Sequence, residues 1–146
     1  EKPPLTLDRA SQETSWTPLE VEFNDHIYEE TNHKNRLTFN SIFDHCSGMK
    51  PIAHPSWIAG WAEALMRHNF DIPSSMHTKS LVKHHSSVPL GTKIVGGAEV
   101  IDAYERKGHH YVEFDVLLKD TNEKDIAQIR HRTIFRIATA SERTGN

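Results

Sequence analysis

Residues 50–66 read KPIAHPSWIAGWAEALM, and this stretch decides the fold. Pro55 suits the first position of a helix, because its missing N–H costs nothing there and its φ is already helical. Trp57 and Trp61 are four residues apart, which is the spacing of one helix face. Glu63 is the only charged residue after the first position of the stretch. A helix that is apolar nearly all round must be covered by a larger layer.

The residues that follow this helix are predicted to supply the layer. Alternating apolar and polar side chains between turn sequences indicate strands over 76–88, 93–105, 109–118 and 126–137. A short strand over 18–23 and a helix capped by Asn24 or Asp25 are predicted upstream. One buried helix held in an antiparallel sheet is the hot-dog architecture, an α+β fold.

The chain of 146 residues is long enough for one domain with its own core. That domain is predicted over residues 16–139. Residues 1–15 are expected to form a polar arm, either floppy or ordered only on contact, and residues 140–146 a polar tail. Periodicity is lost over 32–53, so this segment is predicted to be a long loop, a type of segment that is often functional.

Composition excludes several classes of function. A net charge of −3 offers no basic surface for nucleic acid or for an anionic membrane. Cys46 is the only cysteine, which rules out an internal disulfide and fits a reducing compartment. Apolar runs are too short to span a bilayer, and the first residues lack the apolar segment of a signal peptide. We therefore expect a cytoplasmic protein that needs no cofactor.

Histidine is unusually frequent, with eleven in the chain. The adjacent pairs at 84–85 and 109–110 are predicted on or beside strands, where neighbouring side chains point to opposite faces and cannot share one metal ion. The spacings of zinc sites are missing, so no metal is predicted. One histidine of the 84–85 pair, and His131, are expected to be core residues facing the helix, while 109–110 are expected to contact only water.

Three segments resemble MaoC-like enoyl-CoA hydratases. PIAH at 51–54 resembles that family's Pro-Ile-Ala-His-Gly-Met stretch, and LGTK at 90–93 is similar to its Gly-Asp-Thr-Leu turn. Residues 104–116 resemble a stand-alone branch of acyl-dehydratase-like proteins. The resemblance covers 18–137 and implies a hot-dog fold that adds or removes water on an acyl thioester of CoA or acyl carrier protein. It also implies a homodimer or a hot-dog heterodimer.

The catalytic pattern of the family differs here. Family hydratases carry Gly-Asp-x-Asn-Pro-x-His, in which the Asp and the His act on water and on the substrate α-carbon. On NHKNRLT at 32–38, this pattern places His33 at the aspartate position and Thr38 at the histidine position. Thr38 cannot take a proton at neutral pH. Pro55 replaces the Gly whose N–H binds the thioester oxygen, so Ser56 N–H or another amide of the helix N-terminus is predicted in that role.

Histidines and an aspartate beside the predicted loop can supply the missing acid and base. Each also has an ordinary structural explanation, as an exposed loop residue or a local helix cap. The catalytic candidates are His33, Thr38, Asp44, His45, His54 and Ser56. The candidates for lining a ligand site between helix and sheet are Asn35, Phe39, Phe43, Met49, Trp57 and Trp61.

Three functions stay open. A hydratase or dehydratase with a non-standard acid/base pair is preferred. A thioesterase would use Glu63, Asp44 or a histidine to activate water. A non-catalytic hot-dog subunit or ligand-binding module would lack turnover alone. Phosphates of CoA would be met by basic residues, for which the candidates are Arg36, Lys50, Arg67, Lys79 and Lys83, although each is also an ordinary solvated surface residue.

Overall fold

The computed structural model describes residues 1–35 and 51–144, and the side chains of 1–31 and 51–143. Helices are α1 (Leu7–Gln12), α2 (Asp25–Asn35), α3 (Pro55–Ala59), α4 (Trp61–Asn69) and α5 (Ala140–Thr144). Strands are β1 (Leu19–Glu22), β2 (Met76–His84), β3 (Lys93–Arg106), β4 (His109–Asp120) and β5 (Asp125–Arg136).

The strands form one antiparallel sheet in the order β1-β3-β4-β5-β2. This arrangement, with helices against one face, confirms the predicted α+β hot-dog fold. Every predicted strand is present, although β2 ends at His84, earlier than expected. The predicted Asn24 cap is present, since its Oδ1 accepts from Ile27 N at 2.9 Å. Helix α2 runs on to Asn35, into the segment predicted as loop.

The hairpin between β3 and β4 closes through the tightest type of turn. Lys107 has φ 52° and Gly108 has φ 80°, the two positive values of a two-residue turn that matches strand twist. A Cβ on Gly108 would lie 2.9 Å from the Cβ of Ala138. Glycine is therefore required here both by the backbone conformation and by the chain that packs beside it.

The core lies between the sheet and the central helices. Phe114, Val116 and Leu118 of β4 are buried on the same face and belong to one core cluster with Leu65 and Met66 of α4. Alternate residues of β5 from 127 to 135 are all buried, so the inward position expected for His131 is confirmed. The sequence pattern of small and large apolar residues thus produces one continuous core.

The central helix differs from the prediction in two ways. It is interrupted at Gly60, which separates α3 from α4, so it is not one continuous helix. It is also covered on one face only, because Ala64 and Arg67 are exposed while Trp61 and Leu65 are buried. Alanine counts as apolar in the sequence pattern but adds so little side chain that a helix can leave it in water.

The N-terminal segment is packed and structured. Leu5, Ala10 and Trp16 belong to the buried core. The ring of Trp16 contacts Phe70 and Phe114, with ring centroids 5.3 and 4.5 Å apart, and the backbone N–H of Trp16 donates to the carbonyl of Ala98 at 3.1 Å. Of the two alternatives expected for residues 1–15, order through contact describes this segment, because the buried Leu5 and Ala10 anchor it.

The histidine expectations are confirmed only in part. His131 is buried and faces the helices as predicted. His84 pairs with Ala127 on the helix-facing side, yet both His84 and His85 are exposed, because β2 is an edge strand that the helices do not cover at this end. His109 is partly buried and its Nδ1 accepts from the N–H of Ala138 at 2.9 Å, so it contacts more than water.

Helix α5 is fastened to the end of β5 by an ion pair. Arg136 donates through both terminal nitrogens to the two carboxylate oxygens of Glu142, at 3.0 and 3.2 Å. These bonds, with further ones from the N–H and hydroxyl of Thr139, lower the pKa of Glu142 to about 2. The predicted polar tail therefore begins as a short docked helix.

This ion pair makes the docking of α5 sensitive to acid. Since the pKa of Glu142 is lower in the folded chain than its ordinary 4.5, the contact is complete above about pH 4.5 and is lost as the pH falls towards 2. We expect an NMR titration of the Glu142 carboxyl to show a midpoint near 2. Arg136→Gln should move that midpoint back up, whereas Arg143→Gln should leave it in place. A midpoint near 4.5 in the unaltered protein would contradict the prediction.

Candidate functional site

His54 caps the start of the central helix. Its Nδ1 accepts from the backbone N–H of Ser56 at 3.0 Å and lies 2.8 Å from the Ser56 hydroxyl oxygen. The carbonyl of His54 accepts from Trp57 N at 3.0 Å, and Pro55 follows at the first helical position as predicted. Histidine thus takes the place that Ser, Thr or Asp usually occupies at a helix start.

This cap fixes the chemistry of His54. Because Nδ1 accepts from a backbone N–H, it carries no proton, and the neutral ring must hold its proton on Nε2. His54 in this form can donate through Nε2 but cannot accept there. The same contact engages the N–H of Ser56, which was the predicted oxyanion donor. The structural alternative for His54, a local cap, is therefore what the structure shows.

A cleft of about 390 Å³ lies beside this cap, between β1, α2 and the central helices. Its volume is within the range of small-molecule sites. The lining residues come from all of these elements: Leu19, Val21, Ile27, Glu30, Thr31, Ser56, Trp57, Gly60, Trp61 and Ala64.

The cleft exists because one helix face alternates large and small residues. Trp57, Gly60, Trp61 and Ala64 recur at helical spacing, so the small residues Gly60 and Ala64 leave space beside the two indole rings. The two rings meet edge to face, with centroids 6.1 Å apart. The walls are mostly apolar, and the polar lining groups come from Ser56 and the second half of α2. Such a cleft suits a ligand with an apolar body and a polar group at one end.

A second polar cluster lies on the other side of α4. Glu63 Oε1 is 3.1 Å from His131 Nε2, and Ser75 donates to Glu63 Oε2 at 3.4 Å. His131 is only 2% exposed, and His77 of the edge strand stacks on its ring with centroids 4.5 Å apart. Ser80 Oγ lies 3.5 Å from His131 Nδ1. A buried histidine therefore positions a carboxylate that is still partly accessible to water.

The environment keeps Glu63 ionised. Burial acts to raise the pKa of its carboxyl, but the hydrogen bond and charge of His131 outweigh burial, and Thr133 and Arg67 add to them. The net result is a pKa below the ordinary 4.5. An ionised carboxylate held in this way can activate water or attack a carbonyl carbon. In the described part of the chain, neither of the two cavities is lined by Glu63.

The larger cavity, of about 1170 Å³, is a groove on the outer face of the sheet. Arg130 and Asp115 form a two-pronged ion pair there, with both bonds at 2.9 Å. Leu81 and Leu117 are exposed beside this pair. The groove lies on the face opposite the helix start, so it is separate from the predicted site.

The predicted site residues fall into three groups. His54, Ser56, Trp57 and Trp61 lie together at the cap and the cleft. His33 and Asn35 lie in α2, where only their backbone is described. The remaining candidates lie outside the described residues: Thr38, Phe39, Phe43, Asp44, His45 and Met49.

Sequence reasoning missed the Glu63–His131 pair as a unit. Each residue was noticed separately, Glu63 as the lone charge of the central helix and His131 as an inward residue of β5. Since two buried polar groups must find partners, their joint presence facing one core was the signal that would have connected them. Among the residues that the structure describes, no group of three His, Cys, Asp or Glu side chains is arranged to hold a metal ion. No helix in the described ranges is long and apolar enough to cross a membrane.

Comparisons with known proteins show the fold. No family model matches the chain, and no curated protein matches its sequence. A chain of the ChsH1–ChsH2 complex from Mycobacterium tuberculosis is similar in structure, with TM-score 0.65, 12% identity and coverage of 84% of this chain and 95% of the other. The (R)-hydratase from A. caviae involved in PHA biosynthesis has a TM-score of 0.64 and 11% identity, with coverage of 83% of this chain and 93% of the other. A chain of the 3R-hydroxyacyl-ACP dehydratase complex HadBC from M. tuberculosis has a TM-score of 0.64 and 14% identity, with coverage of 82% of this chain and 93% of the other.

Proposed function

We propose that this hot-dog domain is a hydratase or dehydratase that adds or removes water across the α,β bond of an acyl thioester. The observation that carries the proposal is the mostly apolar cleft beside the His54 cap, which is lined by Trp57, Trp61 and Ala64. It offers apolar walls for an acyl chain and polar groups at the end where a thioester would lie. Proteins of the same fold include a hydratase and a dehydratase by name.

In this proposal His54 binds the thioester oxygen. Its Nε2–H is a donor fixed by the cap, and it replaces the backbone N–H that Pro55 cannot provide. The protons are moved by His33, with Asp44 or His45 as its partner. A histidine is suited to this work because its ordinary pKa lies near neutral pH.

We also propose that the domain works as a pair, either with a second copy or with another hot-dog chain. Strand β2 is at the edge of the sheet, where its outer N–H and C=O groups have no neighbouring strand within the described chain. An exposed sheet edge of this kind tends to pair with another chain unless it is covered. Complexes of two different chains occur among proteins of this fold.

The first test is product analysis by mass spectrometry with enoyl-, 3-hydroxyacyl- and saturated acyl-CoAs. Water gained or lost on the intact thioester is the expected result. His33→Ala should abolish it, while His26→Ala, a change at an exposed position of the same helix, should have no effect. Absence of any change in all three substrate classes, in the pure protein and with a partner chain, would contradict the proposal.

Filling the cleft should block the reaction without unfolding the chain. Ala64 is exposed and lines the cleft, so Ala64→Phe places a ring where the acyl chain would bind. We expect kcat/KM to fall at least about tenfold, with stability changed by no more than about 0.5 kcal/mol. His68→Phe is the control, because His68 is exposed on the same helix outside the cleft. Equal activity of both variants would exclude the cleft as the acyl site.

A thioesterase is the second candidate, and the Glu63–His131 pair favours it. The carboxylate stays ionised and partly accessible, as a group that activates water must be. In that case free CoA would appear from saturated acyl-CoAs, and Glu63→Gln would abolish its release. Release that persists in Glu63→Gln would exclude this mechanism.

A further inference from the structure

The outer face of the sheet, on the side away from the helices, carries opposite charges on its two halves. Residues that pair in register across an antiparallel sheet place their side chains on the same face, so each set of paired residues forms a row across the strands. The first charged row, from β3 to β2, is Asp102, Glu113, Arg132 and Lys79. The second is Glu99, Asp115, Arg130 and Leu81. In both rows β3 and β4 contribute the acids, while β5 and β2 contribute all of the cations.

Side-chain contacts on this face agree with the rows. Arg130 bonds to Asp115 of the neighbouring strand, and Tyr104 lies within hydrogen-bonding reach of both Glu113 and Arg132. Asp115 and Arg130 are still 45% and 58% exposed, so these charges can take further bonds from outside the chain. A second molecule with the opposite order of charges would extend each pair into a network of four charges.

Apolar side chains lie on both sides of the charged rows. On the hairpin side, the next row consists of aromatic and aliphatic residues: Tyr104, Tyr111, Ile134 and Met76. Met76 is 51% exposed in this row. On the other side, Leu117 and Leu81 are 39% and 59% exposed. Exposed apolar groups that flank a charged band are typical of a surface that binds another protein.

We propose that the outer face binds a second copy of this chain, face to face, about a two-fold axis that runs parallel to the strands between β4 and β5. This axis places β4 of one copy opposite β5 of the other, and β3 opposite β2. The acidic half of each copy then lies on the basic half of the other. A two-fold axis across the strands would set each strand against itself and like charge against like, which is unfavourable. The order of the charges therefore selects a copy of the same chain and also its orientation.

The contacts follow from the rows. Glu113 of one copy faces Arg132 of the other, and Asp115 faces Arg130, each of them twice because the axis is two-fold. Gly97 of β3 leaves a gap on the acidic half, since a Cβ there would have no atom within 4 Å in the described chain. The gap faces β2 of the other copy, the strand from which Leu81 projects. Exposed charge pairs contribute little singly but fix the orientation of a complex, while the apolar groups supply affinity.

The size of the face sets the strength of the pair. Four strands about 4.8 Å apart and four rows about 6.8 Å apart cover on the order of 500 Å² on each copy. This is the lower end of specific interfaces, so we expect a weak pair with a Kd on the order of 10–100 µM. The pairing proposed for the β2 edge uses a different surface, and a chain that uses both forms a tetramer.

The test reverses charges that face each other across the axis. Glu113→Lys, Arg132→Glu and the double variant are compared with the unaltered protein by sedimentation equilibrium, at low and at high salt and at concentrations on both sides of the expected Kd. The two single variants are also mixed in equal amounts. Glu29→Lys and Lys124→Glu are the controls, because they make the same charge changes at exposed positions outside the four rows.

We expect an association step in the unaltered protein that salt weakens. Each single reversal should weaken this step at least about tenfold, because two attractive contacts per pair become repulsive. The double variant and the mixture should associate again, since both restore opposite charges across the axis. The controls should associate as the unaltered protein does. A step that no reversal affects belongs to the β2 edge.

Recovery in the mixture is the decisive result, because damage within one chain cannot be repaired by another chain. The proposal is overturned if the reversals have no effect, if they act no more strongly than the controls, or if the mixture stays dissociated. The unaltered protein provides a test without variants, in which the methyl NMR signals of Leu81 and Leu117 should shift with protein concentration. Signals that do not move would overturn the proposal and leave the face to a partner of another kind. All of these outcomes are independent of whether the cleft acts on acyl thioesters.

Discussion

Gly96→Ala is expected to lower the free energy of unfolding by about 1–3 kcal/mol. The added Cβ would lie 2.7 Å from Cζ3 of Trp61 and 2.8 Å from Cδ2 of Leu118, closer than real carbon atoms approach. Both neighbours are buried, so neither can withdraw into solvent. The ring of Trp61 can approach β3 this closely only because this position has no side chain.

The adjacent glycine provides the control. A Cβ on Gly97 would have no atom within 4 Å, because this residue faces the outer groove. Gly97→Ala should leave the stability unchanged or raise it by up to about 1 kcal/mol, since alanine loses less backbone entropy on folding. Urea unfolding of both variants makes the measurement. Equal effects of the two substitutions would refute the close packing of Trp61 on β3, and Gly96→Ala combined with Leu118→Val should recover part of the loss.

Breaking the Glu63–His131 pair is expected to cause the second large loss of stability. Glu63→Leu removes the acceptor of a histidine that is 2% exposed, and we expect a loss of at least about 2 kcal/mol. The partial exposure of Glu63, 29% of its side chain, keeps the figure below the 3–5 kcal/mol typical of fully buried pairs. His131→Leu should cost less, because the carboxylate left behind can find water.

A double-mutant cycle on these two positions isolates their interaction, and we expect a coupling of about 1–3 kcal/mol. The Asp115–Arg130 pair of the outer groove is the control, since its contact of 2.9 Å is shorter than the 3.1 Å of Glu63–His131 but its side chains are 45% and 58% exposed. Its coupling should not exceed about 1 kcal/mol. Similar couplings in the two cycles would show that burial does not strengthen the Glu63–His131 contact.

The Glu63–His131 pair also predicts the direction in which the free energy of unfolding changes with pH. The pKa of Glu63 is lower in the folded chain than in the unfolded one, so its stabilisation is complete above about pH 4.5 and is lost as the pH falls below that value. Unfolding free energy should therefore drop in acid, and the drop should be smaller in Glu63→Gln. If Glu63→Gln loses as much unfolding free energy in acid as the unaltered protein does, other carboxylates cause the loss.

The fold was predictable because its two main sequence signals, an apolar helix and a series of alternating strands, do not depend on individual tertiary contacts. Residues 50–66 predicted an apolar helix, and alternation over the later residues predicted the strands of the meander with their inward faces. The interruption at Gly60 was not predictable, because its φ of −67° and ψ of −13° are ordinary helical values. The sequence left open whether residues 1–15 are floppy or ordered on contact, because anchoring by Leu5 and Ala10 depends on a surface formed by distant parts of the chain.

The site was predictable only where local sequence determines it. The cap at His54 follows from a histidine placed before Pro55 at a helix start. The cleft depends on which face of the helix meets β1 and α2, and the pairing of Glu63 with His131 brings together residues far apart in the chain. Contacts of this kind are set by tertiary packing, on which periodicity and spacing carry no information.

The strand order β1-β3-β4-β5-β2 also determines when each part of the chain can fold. Strands β3, β4 and β5 follow one another through short turns, so they can pair with little loss of loop entropy. Both edge strands pair only with later residues, as Leu19 does with Gly96 and Met76 with Ile134. We expect folding-rate analysis to find the β3–β4 hairpin formed in the transition state and both edges still open. During synthesis, the central helices α3 and α4 leave the ribosome before the sheet that covers them has been made.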